Sequence, residues 1–468
     1  SLPPLQPHAT RDLAAFASGL TFADIPAAVV GRAKLCLLDG IGVSLQGATL
    51  PWTRIVQDMV ATEGARGAAS VFARGLRTSW ANAVLANSTA GHAYEMDDIH
   101  TESVLHPNSL TVPIVLGFAE GAAAGTVSGR DLLTAMVAGT EIGTRIGNGA
   151  TTQLFLNGFH PQGTGGTFVA AGTAGRLKGL DAARMQDALG IAGSMAAGLM
   201  AAQEGAMVKR LHAGRAAQSG VYAAELAARG FTGISDIVEA AYGGFLSSFA
   251  RTPNPARLTE GLGEQWEALR VGFKLYPNVT SIHTSLDALQ HLMAAHRLSA
   301  DDIAAVEVGC GHMTYVHTAW EYRAAGATAA QMNMAYGLAA MATGGAVTAD
   351  DYGEARMADP ALAGFMAKVA IHEDAELEAM GHRFRHACRM RVTTADGRVL
   401  SHEILHRRGS PDGGIDEGAV VAKFQANVRG LLDRTDADRL VDLALSLDAV
   451  PDAAELCALV AERVRVAA

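Results

Sequence analysis

Cysteine is scarce in this chain, and what there is lies scattered. Cys36, Cys310, Cys388 and Cys457 are the only four among 468 residues, and no CxxC pair occurs. Neither a disulfide framework nor a zinc knuckle is expected from that spacing, and a reducing cytoplasm is the expected compartment. Aromatic residues contribute only 6%, and charged residues 18%. With Ala and Gly dominating the apolar fraction, closely packed helices are favoured over a large β-sandwich. So few charges also argue against extensive disorder. Positive charge is in deficit, with a formal net charge of -10. General nucleic-acid binding needs clustered Lys and Arg, so it is not expected. An anionic small molecule is still compatible, because a site can be locally basic in an acidic protein.

Long hydrophobic runs are missing too. The most apolar stretch, "ALGIAGSMAAGLMAA" at 188–202, is shorter than a membrane span and is read as a buried helix. The opening "SLPPLQPHATRDLAAF" has no basic region followed by an apolar core, so no signal peptide is expected. These absences together predict a soluble protein with no membrane partner.

What is present divides the chain in two. Up to about residue 267 the sequence reads as helices joined by short Gly-containing turns. In "VSGRDLLTAMVAGTEIGTRIG", Ser128 is placed to cap with Asp131 three residues later. Leu132, Met136, Gly139 and Gly143 then recur at helical spacing. After about residue 268 strands appear. "IAAVEVGCG" (303–311) alternates, and "CRMRVTTADGRVLSHEI" (388–404) reads as two strands joined at Asp396-Gly397. The intervening "TAAQMNMAYGLAAMATGG" is helix-like, and helical spacing returns in the tail. The expected fold is mainly α, a large all-helical domain (1–267, completed by 405–468) with an inserted smaller α+β domain at 268–404.

Four separated segments hold the titratable groups. "GHAYEMDDIHTESVLHPNS" (91–109) carries three histidines and four carboxylates among small apolar neighbours. Three readings compete there: a metal site on Asp97, Asp98, His100 and His106, acid/base work, or a solvated polar loop. No HExxH spacing, Cys pair or calcium loop supports the metal. "NGFHPQGTGGTF" (157–168) places His160 before glycines at a helix entry, where backbone N–H groups can face an anion or simply make a turn. In "EGAMVKRLHAGRAAQSG" (204–220), Lys209, Arg210 and His212 precede a helix whose N-terminal dipole prefers anions. A carboxylate ligand shared between them would resolve that conflict; a solvated basic turn is the plain alternative. "GFKLYPNVTSIHTSLDAL" (272–289) sets Lys274 in apolar surroundings, which suits either a lysine of lowered pKa or a snorkelling one.

In these four segments the chain resembles the MmgE/PrpD family. "HAYEMDDIHTESVLHPNS", "GFHPQGTGGTFVAA", "KRLHAGRAAQSG" and "KLYPNVTSIHTSLDA" follow the family's motifs in the same order. Members include 2-methylcitrate dehydratase, cis-aconitate decarboxylase and iminodisuccinate epimerase. The resemblance implies a homodimer with the smaller domain as a lid, a site in the cleft between domains, and no metal or organic cofactor. It implies Glu95, His106, His160, Lys209 and Lys274 as active-site residues. Asp97, Asp98, His100, His212 and Tyr336 match further motif positions and are expected to bind substrate. Glu95 stands where relatives usually have Asp, Ile99 where they often have Thr, and Gln162 where they often have Thr.

The implied substrate is a small di- or tricarboxylate, and the chemistry is proton abstraction or return beside a carboxylate. A hydro-lyase of the 2-methylcitrate dehydratase type is the first expectation. An epimerase of the iminodisuccinate type and a cis-aconitate decarboxylase type are the alternatives, with a non-enzymatic carboxylate-binding protein as the reading from another class.

Overall fold

The computed structural model describes residues 5–466. The first four residues of the segment read for a leader lie outside them. Among the helices of the body are α1 (Ala27–Gly47), α2 (Trp80–Gly91), α3 (Asn108–Gly121), α4 (Gly129–Ala150), α5 (Gly166–Leu177) and α6 (Val208–Ala228). Helix α4 begins as its sequence predicts. Ser128 Oγ accepts from the Asp131 amide at 3.2 Å, and Asp131 accepts from the Ser128 amide at 2.8 Å. From Leu132 to Ala150 every residue is buried, so α4 is central rather than one-faced.

Small residues make that burial possible. A Cβ built on Gly172 of α5 would lie 3.1 Å from Gly139 Cα of α4, and one built on Gly220 of α6 would run into Ala170 of α5. Helix α5 is thus wedged between α4 and α6 with backbones almost touching. Gly139→Ala would drive a methyl into Thr173 Oγ1 and the Val169 carbonyl. We expect it to cost about 1–3 kcal/mol in thermal unfolding, as overpacking usually does; an unchanged melting temperature would contradict this packing.

The smaller part is α+β. Helices α7 (His283–His296) and α8 (Met334–Gly344) pack on each other beside a four-stranded sheet. Its strands are β3 (Ile303–Cys310), β4 (Val369–Glu373), β5 (Cys388–Thr394) and β6 (Val399–Ile404), in the order β4-β3-β5-β6. The β3–β4 pair is parallel and the others antiparallel. Alternate residues Cys388, Met390, Val392 and Thr394 of β5 point inward. The β5–β6 hairpin turns at Asp396-Gly397, where Gly397 takes φ 87°, the left-handed geometry that favours glycine.

Two expected helices are shorter than predicted. The helix through 188–202 stops at Ser194, and Leu199 is 61% exposed, because the chain turns there to carry Met200 toward His160. "TAAQMNMAYGLAAMATGG" breaks at Asn333, whose side chain caps α8 by accepting from the Tyr336 amide at 3.0 Å. No helix among the described residues is long and apolar enough to cross a membrane.

The apolar core changes hands between Phe273 and Tyr276. Residues up to Phe273, and those from Val420 onward, pack in one cluster. Tyr276 to Val392 pack in another, joined by Val43, Tyr94 and Met96 from the body. At the junction, β1 (Ile99–His100) pairs antiparallel with β2 (Val271–Gly272). Lys423 fastens the tail to the same place, donating to the Met96 carbonyl at 2.6 Å and pairing with Asp39 at 2.8 Å. The polar stretch 91–109 therefore lies where the helical body and the smaller α+β part meet.

Candidate active site

Glu95 is the hub. It is 2% exposed and takes φ 55°, a left-handed backbone that non-glycine residues seldom adopt. Its Oε1 accepts from Lys209 and Arg210, and its Oε2 from Lys274 Nζ at 3.0 Å. Burial works to raise its pKa, but the three cations overcome that and hold it well below the usual carboxylate range. Lys209 and Arg210 sit in the first turn of α6 rather than before it. The shared carboxylate that their place at a helix N-terminus called for is supplied by the chain itself.

Histidines line the next layer. His92 Nδ1 donates to Asp97 Oδ2 at 2.7 Å, and the His92 ring lies 5.0 Å from that of His106 and 5.6 Å from that of His160. His160 Nδ1 meets His212 Nδ1 at 2.7 Å. His106 Nδ1 lies 2.5 Å from the Asp98 carbonyl oxygen, an acceptor, so the ring proton resides at Nδ1 and Nε2 keeps its lone pair. Gln162 fixes the backbone behind it, accepting from the His106 amide at 2.8 Å and donating to its carbonyl at 2.9 Å. Val104, two residues before His106, also takes a positive φ of 58°, costly for a β-branched residue.

Burial depresses these imidazoles. It pushes His106 down to about 3 despite the neighbouring Asp97, and His212 to about 4. His160 falls well below its ordinary value, with burial first and Lys209 second as causes. Lys209 is lowered by burial to about 8, with Glu95 opposing. Against the pull of burial, His106, His92 and Lys274 hold Asp97 ionised. The site therefore contains neutral imidazoles, carboxylates at Glu95 and Asp97, and an excess of cations.

Glu95, His106, His160, Lys209 and Lys274 line one cavity of about 40 Å³, together with Ser281, His317 and Arg385 from the smaller α+β part. That volume holds only a few waters. A molecule larger than that enters only if the walls of the cavity or the Glu95 ion pairs part.

The other expected binding residues lie elsewhere. Asp97 stands behind the cavity, 3.8 Å from Lys274. Asp98 accepts from the Asn108 amide at 3.1 Å, and burial with Asp97 beside it raises its pKa well above the carboxylate range. His100 faces away, contacting Glu267 Oε2 at 2.8 Å and Ser103 Oγ at 2.7 Å. His212 backs His160. Tyr336 is fully buried in the core of the smaller α+β part, its hydroxyl 2.5 Å from the Asp351 carbonyl.

Arg210, read with Lys209 as sharing a carboxylate, joins the site through Glu95, while His92, Gln162, His317 and Arg385 complete it beyond the sequence expectations. Gln162 neighbours a residue already singled out, and His92 opens the motif of Glu95. Nothing in the local pattern marks His317 or Arg385.

His92, Asp97 and His106 also bring ligand atoms within 4.8 Å of one another, a spacing a metal ion can use. The hydrogen bond from His92 Nδ1 to Asp97 accounts for the approach of these two. Lys274, 3.8 Å from Asp97, sets a positive charge against a second cation. The arrangement fits a proton-handling set better than a metal centre.

Residues 11–257 match the MmgE/PrpD N-terminal domain and residues 276–449 the MmgE/PrpD C-terminal domain. Lys274 falls in the stretch between them. The chain is 31% identical over 471 residues to a cis-aconitate decarboxylase-like protein, oryM, of Aspergillus oryzae, covering 97% of each. It is 31% identical to a cis-aconitate decarboxylase of Aspergillus terreus, covering 96% of this chain and 94% of that one. A cis-aconitate decarboxylase of Homo sapiens is 25% identical, again over 96% and 94%.

Proposed function

The chain belongs to the MmgE/PrpD family, and from that premise we propose that it is a lyase removing CO2 from a small unsaturated tricarboxylate of the cis-aconitate kind. One observation carries the reading. A buried carboxylate, Glu95, is gripped by Lys209, Lys274 and Arg210 beside the bare Nε2 of His106. Glu95 occupies the kind of place a substrate carboxylate would take. The relatives named as cis-aconitate decarboxylases support loss of CO2 over the dehydration that the motifs first suggested.

The chemistry follows from the groups present. An entering polyanion exchanges with Glu95 for Lys209 and Lys274, and Arg385, whose buried Nη1 has no hydrogen-bond partner among the described residues, takes another carboxylate. The bond to the leaving carboxylate breaks and its electron pair passes into the adjacent double bond system. One carbon then takes a proton, and CO2 departs uncharged. The cations stabilise the carbanion-like charge that builds before protonation. Negative charge in the cavity also raises the proton affinity of His106, letting Nε2 take up a proton and pass it to carbon.

Trapping CO2 from cis-aconitate tests this reading. Release at a rate proportional to protein supports it. Loss of water from 2-methylcitrate with no CO2 from cis-aconitate would support the dehydratase reading instead. A pH profile adds a second check. With substrate fully ionised and loss of CO2 the first irreversible step, kcat/KM is expected to be flat through the neutral range, because the proton that neutral His106, at about 3, takes up and delivers enters only after that step. It should fall about tenfold per pH unit above the Lys209 value of about 8, as the ammonium loses its charge. A profile still flat at strongly alkaline pH would remove Lys209 from the binding step.

A further inference from the structure

A second and larger cavity, of about 480 Å³, opens beside the first. It lies at the two passages of chain between the body and the smaller α+β part, with Arg270 on the first passage and Arg407 and Asp412 on the second. His386 borders both cavities.

The carboxylates of this cavity are already engaged. Asp412 accepts from Arg270 at 2.8 Å and from Arg383 at 2.6 Å, and Glu102 pairs with Arg257, whose Nη2 lies 3.1 Å from Oε2. Arg407 is the exception among the cations. It is 2% exposed, and only its Nη1 finds partners, the Phe273 carbonyl at 2.6 Å and the Arg408 carbonyl at 3.4 Å. Its Nε and Nη2 have no hydrogen-bond partner, and no carboxylate pairs with it among the described residues. Burial lowers its pKa only to about 10, so it stays charged at neutral pH. Nε–H and Nη2–H lie side by side on one edge of the guanidinium, the fork that fits two oxygens of one oxyanion. A buried cation with that edge unmade is costly unless something fills it.

We propose that this cavity is a second anion site, separate from the one around Glu95, and that it takes a small dianionic oxyanion, a dicarboxylate or phosphate, drawn by the unpaired charge of Arg407 with His386 and His406 beside it. It rests on Arg407 and not on the decarboxylase reading, and binding alone tests it. Because the lining comes from the smaller part and from both connecting passages, a bound anion ties that part to the body across their junction. Its border at His386 gives it a physical path to the inner cavity.

Calorimetric titration with inorganic phosphate and, separately, with succinate is the test. It uses wild type, Lys274→Ala to weaken the inner site, Arg407→Gln, and His406→Glu. The last adds a negative charge to the cavity without touching the buried arginine. Saturable binding of either probe at one site per chain is expected to survive Lys274→Ala within about twofold and to weaken at least tenfold in Arg407→Gln and His406→Glu. Preference for phosphate or for succinate then says which oxyanion the site suits. Binding that is lost in Lys274→Ala but unchanged in His406→Glu would overturn the proposal. So would the absence of saturable binding to wild type.

Discussion

Lys209→Ala is expected to lower kcat/KM for a tricarboxylate by about a thousandfold, the scale of losing one preorganised group aimed at developing charge. The ammonium is buried against Glu95 in the first turn of α6, and it is one of two lysines that face the cavity. Its loss leaves Glu95 still paired with Arg210 and Lys274, so the carboxylate is not stranded and the fold should hold. This separates the functional role from a merely structural ion pair. A structural pair would show its loss in the melting temperature and leave turnover near normal. Steady-state kinetics beside a thermal melt decide it, and kcat/KM within threefold of wild type would sink the assignment.

His106→Ala should reduce kcat by about 10²- to 10⁴-fold while changing KM far less, as expected for a group that moves a proton rather than binds charge. The imidazole is held by its Nδ1 bond to the Asp98 carbonyl, which keeps Nε2 available. Behind it, the two Gln162 bonds fix the backbone. Gln162→Leu leaves the ring and removes those bonds, so a smaller fall in kcat, about tenfold, is expected. Equal kcat for His106→Ala and wild type would move the proton chemistry elsewhere in the cavity.

Features written in neighbouring residues were the ones the sequence made legible. The Ser128–Asp131 cap, the Asp396-Gly397 hairpin and the period-2 strand at 388–394 each depend on contacts within a few positions. The apolar core changes hands near where the Ala- and Gly-rich helical style gives way to strands. Much of the site was legible too, because its groups cluster in four short segments that converge on Glu95.

What escaped depends on long-range packing. That Glu95 would satisfy Lys209, 114 positions away, is not visible in either segment alone. The same holds for Arg385 and His317, which reach the cavity from the smaller part without any spacing to announce them. Motif position was also a poor guide to direction. Asp98, His100 and Tyr336 share stretches with cavity residues yet turn toward a backbone amide, Glu267 and the core of the smaller part. Gln162, legible only as a departure, proves to be the residue that braces His106.

The proposed reaction breaks a carbon–carboxylate bond and returns one proton to carbon. Proton and carbon NMR of cis-aconitate turnover in deuterium oxide tests it most directly. We expect an unsaturated dicarboxylate that has lost one carboxylate as CO2 and carries a single solvent-derived deuterium on carbon, with formation slowed in parallel by Lys209→Ala and His106→Ala. A tricarboxylate that only exchanges or inverts a carbon-bound hydrogen, with all carboxylates retained, would contradict it.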